Sequence, residues 1–321
     1  NTHGVHLLSL YAEMLDDGAI DPNANITITH NTDCIISIDG HDAFGQLVGE
    51  LATNAGIKAA QKSGMAMVAI SNASHLGRLG EWAEQAADAG LVFSAFSNSG
   101  GGALNVAAFG GRERKLSTNP VAFAVPTFDA LPFNIIVDFA TSQISGSVIQ
   151  KHYRANIPLH HDWTTSASGE ALTDARAFID GEGALLPLGG RETGHKGYCL
   201  ALVAELFAGI AGGMVIGQHY PEWFSNAALF NFIDPLRLSS LDEITKRIHS
   251  VATHLNEDNV RLPGQGSYER TLLSESQGIS LPSHMLRTLL KLANTLDVSV
   301  ADEIATHLPG EDNSEEKLKS W

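Results

Sequence analysis

Cysteine is scarce in this 321-residue chain, and the two that occur, Cys34 and Cys199, stand far apart within apolar runs. That usage excludes a disulfide framework and a four-thiolate zinc site, and it predicts two buried, reduced thiols. Positive charge is also short: 20 Lys and Arg face 36 Asp and Glu, a formal net charge of -16. A chain so acidic is not built to wrap nucleic acid or to lie on an anionic membrane, so any anionic ligand must find a local positive site. No apolar run reaches the roughly 18 residues a membrane helix needs, and no basic stretch followed by an apolar one opens the chain. The expectation is a cytoplasmic protein. Its glycines form neither the dinucleotide fingerprint nor a phosphate-binding P-loop, and no Gly-x-Ser-x-Gly elbow occurs, so a standard Rossmann site, a P-loop and an elbow-type serine hydrolase are unsupported.

What is present is a hydrophobic content of 44%, enough for a substantial core, arranged with alternating periodicity. Helical spacing runs over 43–63, where Phe44, Leu47, Val48, Leu51 and Ala55 share a face behind the turn Asp39-Gly40-His41-Asp42. Short apolar stretches at 65–70 and 91–97 flank an alanine-rich helix at 81–89, which predicts strands joined by helical crossovers. Further strands are expected at 121–125, 135–138 and 227–233, and helices at 197–211, 241–255 and 283–296. The fold class is α/β, with a mixed sheet and flanking helices.

Several segments carry chemistry. Thr2-His3-Gly4 joins a hydroxyl, an imidazole and a flexible residue, a combination able to deliver a proton, although a solvated chain end can look the same. Ser74-His75-Leu76-Gly77-Arg78 lies between a predicted strand and a helix, where backbone N–H groups and Arg78 suit a carboxylate or phosphate, or simply cap a loop. The basic run 110–115 is either a solvated face or a ligand contact, and Thr118 and Asn119 beyond it fit a pocket wall. Asp138-Phe139-Ala140-Thr141-Ser142 ends a strand with small polar residues. The pair His195-Lys196, between Gly194 and Gly197, opens the apolar helix at a position suited to pyrophosphate. His160-His161-Asp162 could be drawn as metal ligands, but neighbouring His residues seldom share one ion, and no metal is expected.

Taken together, Thr2-His3-Gly4-Val5, Asp39-Gly40-His41 with Phe44-Gly45-Gln46, Ser74-His75-Leu76-Gly77, Thr118-Asn119-Pro120, Asp138 to Ser142, Leu185-Leu186-Pro187-Leu188, His195-Lys196-Gly197-Tyr198 and Arg261-Leu262-Pro263-Gly264 closely resemble the malate/L-lactate dehydrogenase family. That family is unrelated to the Rossmann lactate and malate dehydrogenases. The resemblance implies a non-Rossmann NAD(P)-binding fold, a homodimer, and hydride transfer between NAD or NADP and a small 2-oxo or 2-hydroxy acid, without a metal. It makes His3 the proton donor beside the Thr2 hydroxyl and places His75 in the active site. It puts Thr118 at the substrate, and Ser99, Asp138, Phe139, Ala140, His195, Lys196, Leu262, Pro263 and Gly264 around the cofactor. Many relatives carry an Arg where this chain has Leu7, and a hydrogen-bonding residue where it has Val148. They also carry a helical segment ahead of the motif, where this sequence starts at Asn1. Together with the Ser74 to Arg78 and Asp138 to Ile144 segments, Leu7 brings the chain nearest the hydroxycarboxylate dehydrogenase B subgroup. The expected substrate is then a 2-oxo acid with an apolar or aromatic side chain, its carboxylate held by Arg78.

The expected organisation is an N-terminal segment 1–42 with the Thr-His pair, a central NAD(P)-binding α/β domain 43–256, a C-terminal helical segment 257–309 packing with the N-terminal part, and a mobile acidic tail 310–321. Two other readings stay open. One is an oxidoreductase of the same family acting on a cyclic imino acid, a diketo sugar acid or ureidoglycolate; the other is a non-catalytic nucleotide-binding paralogue.

Overall fold

The computed structural model of the chain describes residues 3–218, 223–258 and 260–299, so Thr2 and the tail 310–321 lie outside the described residues. After a single tight turn at Gly4–Leu7, helix α1 (Leu8–Asp16) leads to strands β1 (Thr27–Asn31) and β2 (Ile35–Ala43), helix α2 (Gly45–Ser63), β3 (Met65–Ala73), α3 (Leu79–Asp88) and β4 (Val92–Asn98). The middle of the chain holds β5 (Val106–Ala107), β6 (Arg114–Leu116), β7 (Val121–Val125), β8 (Ile135–Phe139), α4 (Gly146–Ala155), β9 (Thr164–Thr165), α5 (Ala175–Ile179) and β10 (Ala184–Leu185). Then come α6 (Gly190–Thr193), α7 (His195–Ile210), β11 (Asn226–Ile233), α8 (Leu241–Asn256), α9 (Gln265–Gln277) and α10 (Ser283–Thr295).

Seven strands form one sheet in the order β1-β2-β3-β11-β4-β7-β8, and four short ones form a second, β6-β5-β10-β9. The expected α/β class with a mixed sheet is what the chain adopts, but helical crossovers account for little of it. In the large sheet only β2 and β3 run parallel; β11 lies antiparallel between β3 and β4, and β7 and β8 continue antiparallel. Strand β11 arrives from more than a hundred residues downstream, so local periodicity could not place it between two earlier strands. Residues 27–43 also pair into this sheet, so the segment expected at 1–42 contributes two of its strands.

Alternation along the strands gives the sheet two covered faces. Ile36, Ile38, Val68, Ile70, Phe93, Phe230 and Phe232 point to one side and bury against Val48 and Ala52 of α2 and Trp82, Ala83 and Ala86 of α3. Phe93 meets Phe230 and Phe232 edge-on at 5.3 and 5.0 Å, a geometry that favours aromatic pairs. On the other side Phe96 packs against Phe207 of α7 at 4.9 Å. A second core, around Ile149, Phe178 and Leu185, belongs to the small sheet, and a third gathers Leu7, Leu10, Met14 and Ile20 at the N-terminal end. Within the basic run 110–115, Arg112 and Lys115 are exposed and Arg114 turns inward. Arg114 donates to the carbonyls of Gly183, Phe178 and Glu182 and lies 4.3 Å over the Phe178 ring, so it staples the small sheet rather than meeting a ligand.

The expectation of two buried thiols fails for Cys199, which is exposed, while Cys34 is intermediate. Helix α7 is apolar on more than one face, and Cys199 lies on the outer one with Leu202, Val203, Leu206 and Ile210. No helix among the described residues is long and apolar enough to cross a membrane.

One carboxylate ties the middle of the molecule together. Glu205, 1% exposed in α7, accepts hydrogen bonds from Asn98 Nδ2 at 3.1 Å, Asn119 Nδ2 at 2.8 Å and the Ile216 N–H at 2.9 Å. Removing an acceptor from buried donors costs about 1–3 kcal/mol per group left unpaired. Glu205→Ala is therefore expected to lower unfolding stability by at least about 2 kcal/mol in a urea titration; an unchanged midpoint would show that Glu205 holds nothing in place.

Candidate active site

The site grows from the parallel pair β2 and β3. Parallel strands end on the same edge of a sheet, and the helices that follow them start side by side there. Helix α2 begins at Gly45 right after β2, and Ser74-His75 follows β3. The two turns touch: the Gly45 N–H donates to Ser74 Oγ at 2.8 Å, and the Ser74 N–H donates to the Ala43 carbonyl at 3.1 Å. A Cβ at Gly45 would lie 2.3 Å from the His75 carbonyl oxygen, so only glycine lets α2 start where it does. The turn is held from the far side by the Leu76 N–H, which donates to Asn226 Oδ1 at 2.9 Å at the start of β11.

His75 thus stands on fixed backbone, and its ring is packed on three sides. His3 stacks on it at a centroid distance of 5.5 Å, only 9° from parallel. Phe224 meets it edge-on at 5.8 Å, and Tyr11 Oη lies 2.8 Å from His75 Nδ1. Gln46 Nε2 in turn donates to Tyr11 Oη at 2.7 Å. Burial pushes both imidazoles down to about 4; the Arg78 charge adds to the effect on His3, and His3 adds to the effect on His75. Both rings are neutral at pH 7, the form able to take a proton or donate a single N–H.

Arg78 does not stand open to a ligand as the sequence implied. Its guanidinium is paired with the Glu84 carboxylate, with Nη1 to Oε1 at 3.1 Å, and Glu81 lies within 3.6 Å. Glu81 stands three residues on, the spacing at which helical neighbours meet, whereas the pair with Glu84, six residues on, is made from Arg78 standing outside the helix as its extended N-cap. Leu7, expected at the substrate, is 8% exposed and packs with Leu10, Met14 and Ile20 beneath Tyr11, Phe44 and Phe224.

The residues expected around a cofactor take up defined positions. Ser99 Oγ donates to the Gly102 carbonyl at 2.6 Å, closing a turn whose Gly102 packs on Phe224, the residue that touches His75. Asp138 Oδ2 accepts the Gly80 N–H at 2.7 Å in the first turn of α3, beside Arg78, while Phe139 ends β8 and Ala140 follows it. The Leu262-Pro263-Gly264 turn lies on the start of β8, because Gly264 has φ +92° and a Cβ there would lie 2.5 Å from the Asn134 carbonyl oxygen. The first part of the segment expected at 257–309 thus packs on β8, where Tyr268 of α9 also meets Phe133 at 5.8 Å. The Thr118 carbonyl accepts from the Thr141 N–H at 2.9 Å and from the Thr141 hydroxyl at 3.0 Å, which joins the 118–119 turn to the residues after β8. His195 and Lys196 are exposed at the N-terminal end of the 16-residue α7, with Phe109 edge-on to His195 at 5.6 Å. A lysine in the first turn of this helix is a local positive site of the kind a phosphate needs, in a chain otherwise strongly acidic. His160, His161 and Asp162 bring one ligand atom each within 4.8 Å of the others on the surface.

Sequence reasoning passed over Tyr11 and Phe224. Both reach His75 across long stretches of chain, 64 residues in the case of Tyr11, and no local pattern marks them. Gln46 and Glu205 carry local signals, a polar residue in a helix's first turn and a lone acid in an apolar helix.

Gly45→Ala is expected to force the Ser74-His75 turn away, lowering stability by about 1–3 kcal/mol, as overpacking of a tight contact does. The same shift should displace the His75 ring and depress turnover. A melting temperature and rate equal to those of the unaltered protein would contradict the account of this contact.

Comparison with known proteins fits this geometry. Residues 1–290 match the family described as malate/L-lactate dehydrogenase. The chain is 32% identical over 311 residues to L-lactate dehydrogenase of Cupriavidus necator, covering 93% of this chain and 87% of that protein. It is 28% identical over 293 residues to hydroxycarboxylate dehydrogenase B of Escherichia coli O157:H7, covering 88% and 79%. The crystal structure of malate dehydrogenase from Entamoeba histolytica superposes with a TM-score of 0.85 at 25% identity, covering 92% of this chain and 87% of that one. With its fold, its His3-His75 site and its sequence aligned over nearly the whole length, the chain belongs to the malate/L-lactate dehydrogenase family of oxidoreductases.

Proposed function

We propose that this protein interconverts a 2-oxo acid and the matching 2-hydroxy acid with NAD or NADP, with His3 as the group that exchanges the proton on the substrate oxygen. The observation that carries this reading is the parallel stack of His3 on His75, two neutral imidazoles held beside Phe224 and Tyr11. The residues placed for the cofactor are Ser99, Asp138, Phe139, Ala140, His195, Lys196 and the 262–264 turn, of which Lys196 at the start of α7 supplies positive charge for a phosphate. The nicotinamide, when bound, supplies or takes up the hydride at the substrate 2-carbon.

In the oxidation direction neutral His3 accepts the hydroxyl proton as the carbonyl forms; in reduction protonated His3 returns it. The Thr2 hydroxyl is assigned to orient this exchange, and Thr118 to the substrate. With Nη1 and Nη2 of Arg78 engaged by Glu84, the arginine acts through its charge, which adds to the burial that keeps His3 neutral. Tyr11 and Phe224 favour a substrate side chain that is apolar or aromatic.

Helix α7 supports a homodimer. Its outer face, Leu202, Val203, Leu206 and Ile210, is apolar and exposed, and an uncharged patch is where two copies that each carry a net charge of -16 meet with least repulsion. The cytoplasm, where such a dinucleotide and small acids are both dissolved, is the location that goes with this reading.

Three outcomes test this reading. Full-length protein mixed with NADH or NADPH should oxidise one of them in the presence of an alkyl or aryl 2-oxo acid, and His3→Gln should lower kcat by about 100-fold or more while cofactor affinity is kept; a variant as fast as the parent would contradict the role of His3. With His3 near 4, the protonated fraction falls about tenfold per pH unit above that value. Reduction kcat/KM should therefore decline from pH 5 to pH 8 while oxidation kcat/KM stays flat with respect to this group, and the reverse pattern would contradict the assignment. Leu206→Asp should turn a dimer into a monomer by light scattering, and an unchanged mass would remove α7 from the interface.

A further inference from the structure

A buried chain of hydrogen bonds has a direction, and that direction fixes the tautomer of a neutral histidine at its end. The chain here runs from Gln46 through Tyr11 to His75. Gln46 Nε2 donates to Tyr11 Oη at 2.7 Å, and Tyr11 Oη lies 2.8 Å from His75 Nδ1. An amide nitrogen has protons to give and nothing with which to accept, so Tyr11 is the acceptor in the first bond. The phenol keeps its own proton, since burial pushes Tyr11 up to about 12 against the lowering effect of the Gln46 bond. That proton points to His75 Nδ1. His75, pushed down to about 4 by burial, carries a single N–H, and with Nδ1 accepting, the proton sits on Nε2.

We infer that Gln46 and Tyr11 are positioning residues that lock His75 in the Nε2–H tautomer, so that His75 meets the substrate oxygen as a hydrogen-bond donor and leaves proton exchange to His3. The assignment of roles rests on the function proposed above. It resolves a problem the stack creates, because two neutral imidazoles 5.5 Å apart are otherwise equivalent acceptors for one proton. A neutral imidazole N–H can polarise a carbonyl without being consumed, and its hydrogen bond strengthens as the oxygen gains negative charge. A bound nicotinamide would take up the substrate C–H as hydride while His3 accepts the O–H proton, so that His75 starts and ends with its Nε2 proton.

The lock is rigid for the same reasons the site is. Gln46 lies in the first turn of α2, whose start is tied to the Ser74-His75 turn through the Gly45 N–H and Ser74 Oγ. Tyr11 is braced by Phe44, edge-on at 6.4 Å. Gln46 and His75 are thus fixed to each other through neighbouring backbone, and Tyr11 is held between them by its side chain.

The test reads the tautomer directly. In protein carrying 15N-labelled histidine, His75 at pH 7 should show a protonated Nε2 and an unprotonated, accepting Nδ1. Tyr11→Phe should blur that pattern into a tautomer mixture and lower kcat by roughly ten- to a hundredfold, the usual effect of removing a residue that orients a functional histidine. Gln46→Glu and Gln46→Met separate direction from packing. Glutamate keeps the shape but only accepts, so the Tyr11 proton turns toward it and His75 flips to Nδ1–H; the Glu variant should be slower than the Met variant. A purely structural Gln46 would give the opposite order. An Nδ1–H tautomer in an active parent protein contradicts the lock alone, leaving the proposed function intact. A locked Nε2–H tautomer in a folded protein that reduces no 2-oxo acid contradicts the function and with it the role given to His75.

Discussion

The contact on which the site depends is the approach of Gly45 to the Ser74-His75 turn. Two parallel strands, β2 and β3, deliver two chain reversals to one edge of the sheet, and the absence of a side chain at Gly45 lets them touch. From that contact follow the fixed backbone of His75, the reach of Gln46 to Tyr11, and a platform on which His3 can stack. Antiparallel β11 then braces the same turn through Asn226, which also donates to the Asn98 carbonyl at 2.6 Å and so ties the turn to the end of β4, just ahead of Ser99.

Electrostatics work with this packing rather than through strong ion pairs. A chain with a net charge of -16 would repel an anionic acid and a dinucleotide alike, and the site counters this by removing negative charge rather than by adding much positive charge. The imidazoles stay neutral by burial, Glu84 is matched by Arg78, and Asp138 is matched by the Gly80 N–H. Glu205 is buried among amide donors, deep between the turns that bear Asn98 and Asn119. Lys196 leaves a positive charge at the start of α7, the place that the proposed function gives to a cofactor phosphate.

How much of this could be read beforehand depends on sequence distance. Strand β3, the turn with His75 and Arg78, and helix α3 are consecutive, and local periodicity with polar turn residues reveals all three. The same holds for β7, whose bounds 121–125 coincide with the expected strand, and for α7, which starts two residues early. Contacts between distant segments left no trace: Tyr11 on His75, Phe224 on His75, β11 between β3 and β4. Charge patterns alone do not say which partner a cation takes. Arg114, in the densest basic run, binds backbone carbonyls, and Arg78, suited in isolation to a carboxylate ligand, finds one within its own chain six residues on. A planar donor pair signals that a carboxylate or carbonyl will be bound, and burial decides whose.

The central claim is hydride transfer to the 2-carbon of a small acid, and isotope transfer tests it most directly. Protein supplied with nicotinamide cofactor deuterated at the transferring position, together with an alkyl or aryl 2-oxo acid in ordinary water, should yield a 2-hydroxy acid bearing one deuterium on carbon 2 and a hydroxyl proton drawn from solvent. A product without deuterium at carbon 2, or no product from folded protein with either cofactor, would contradict it.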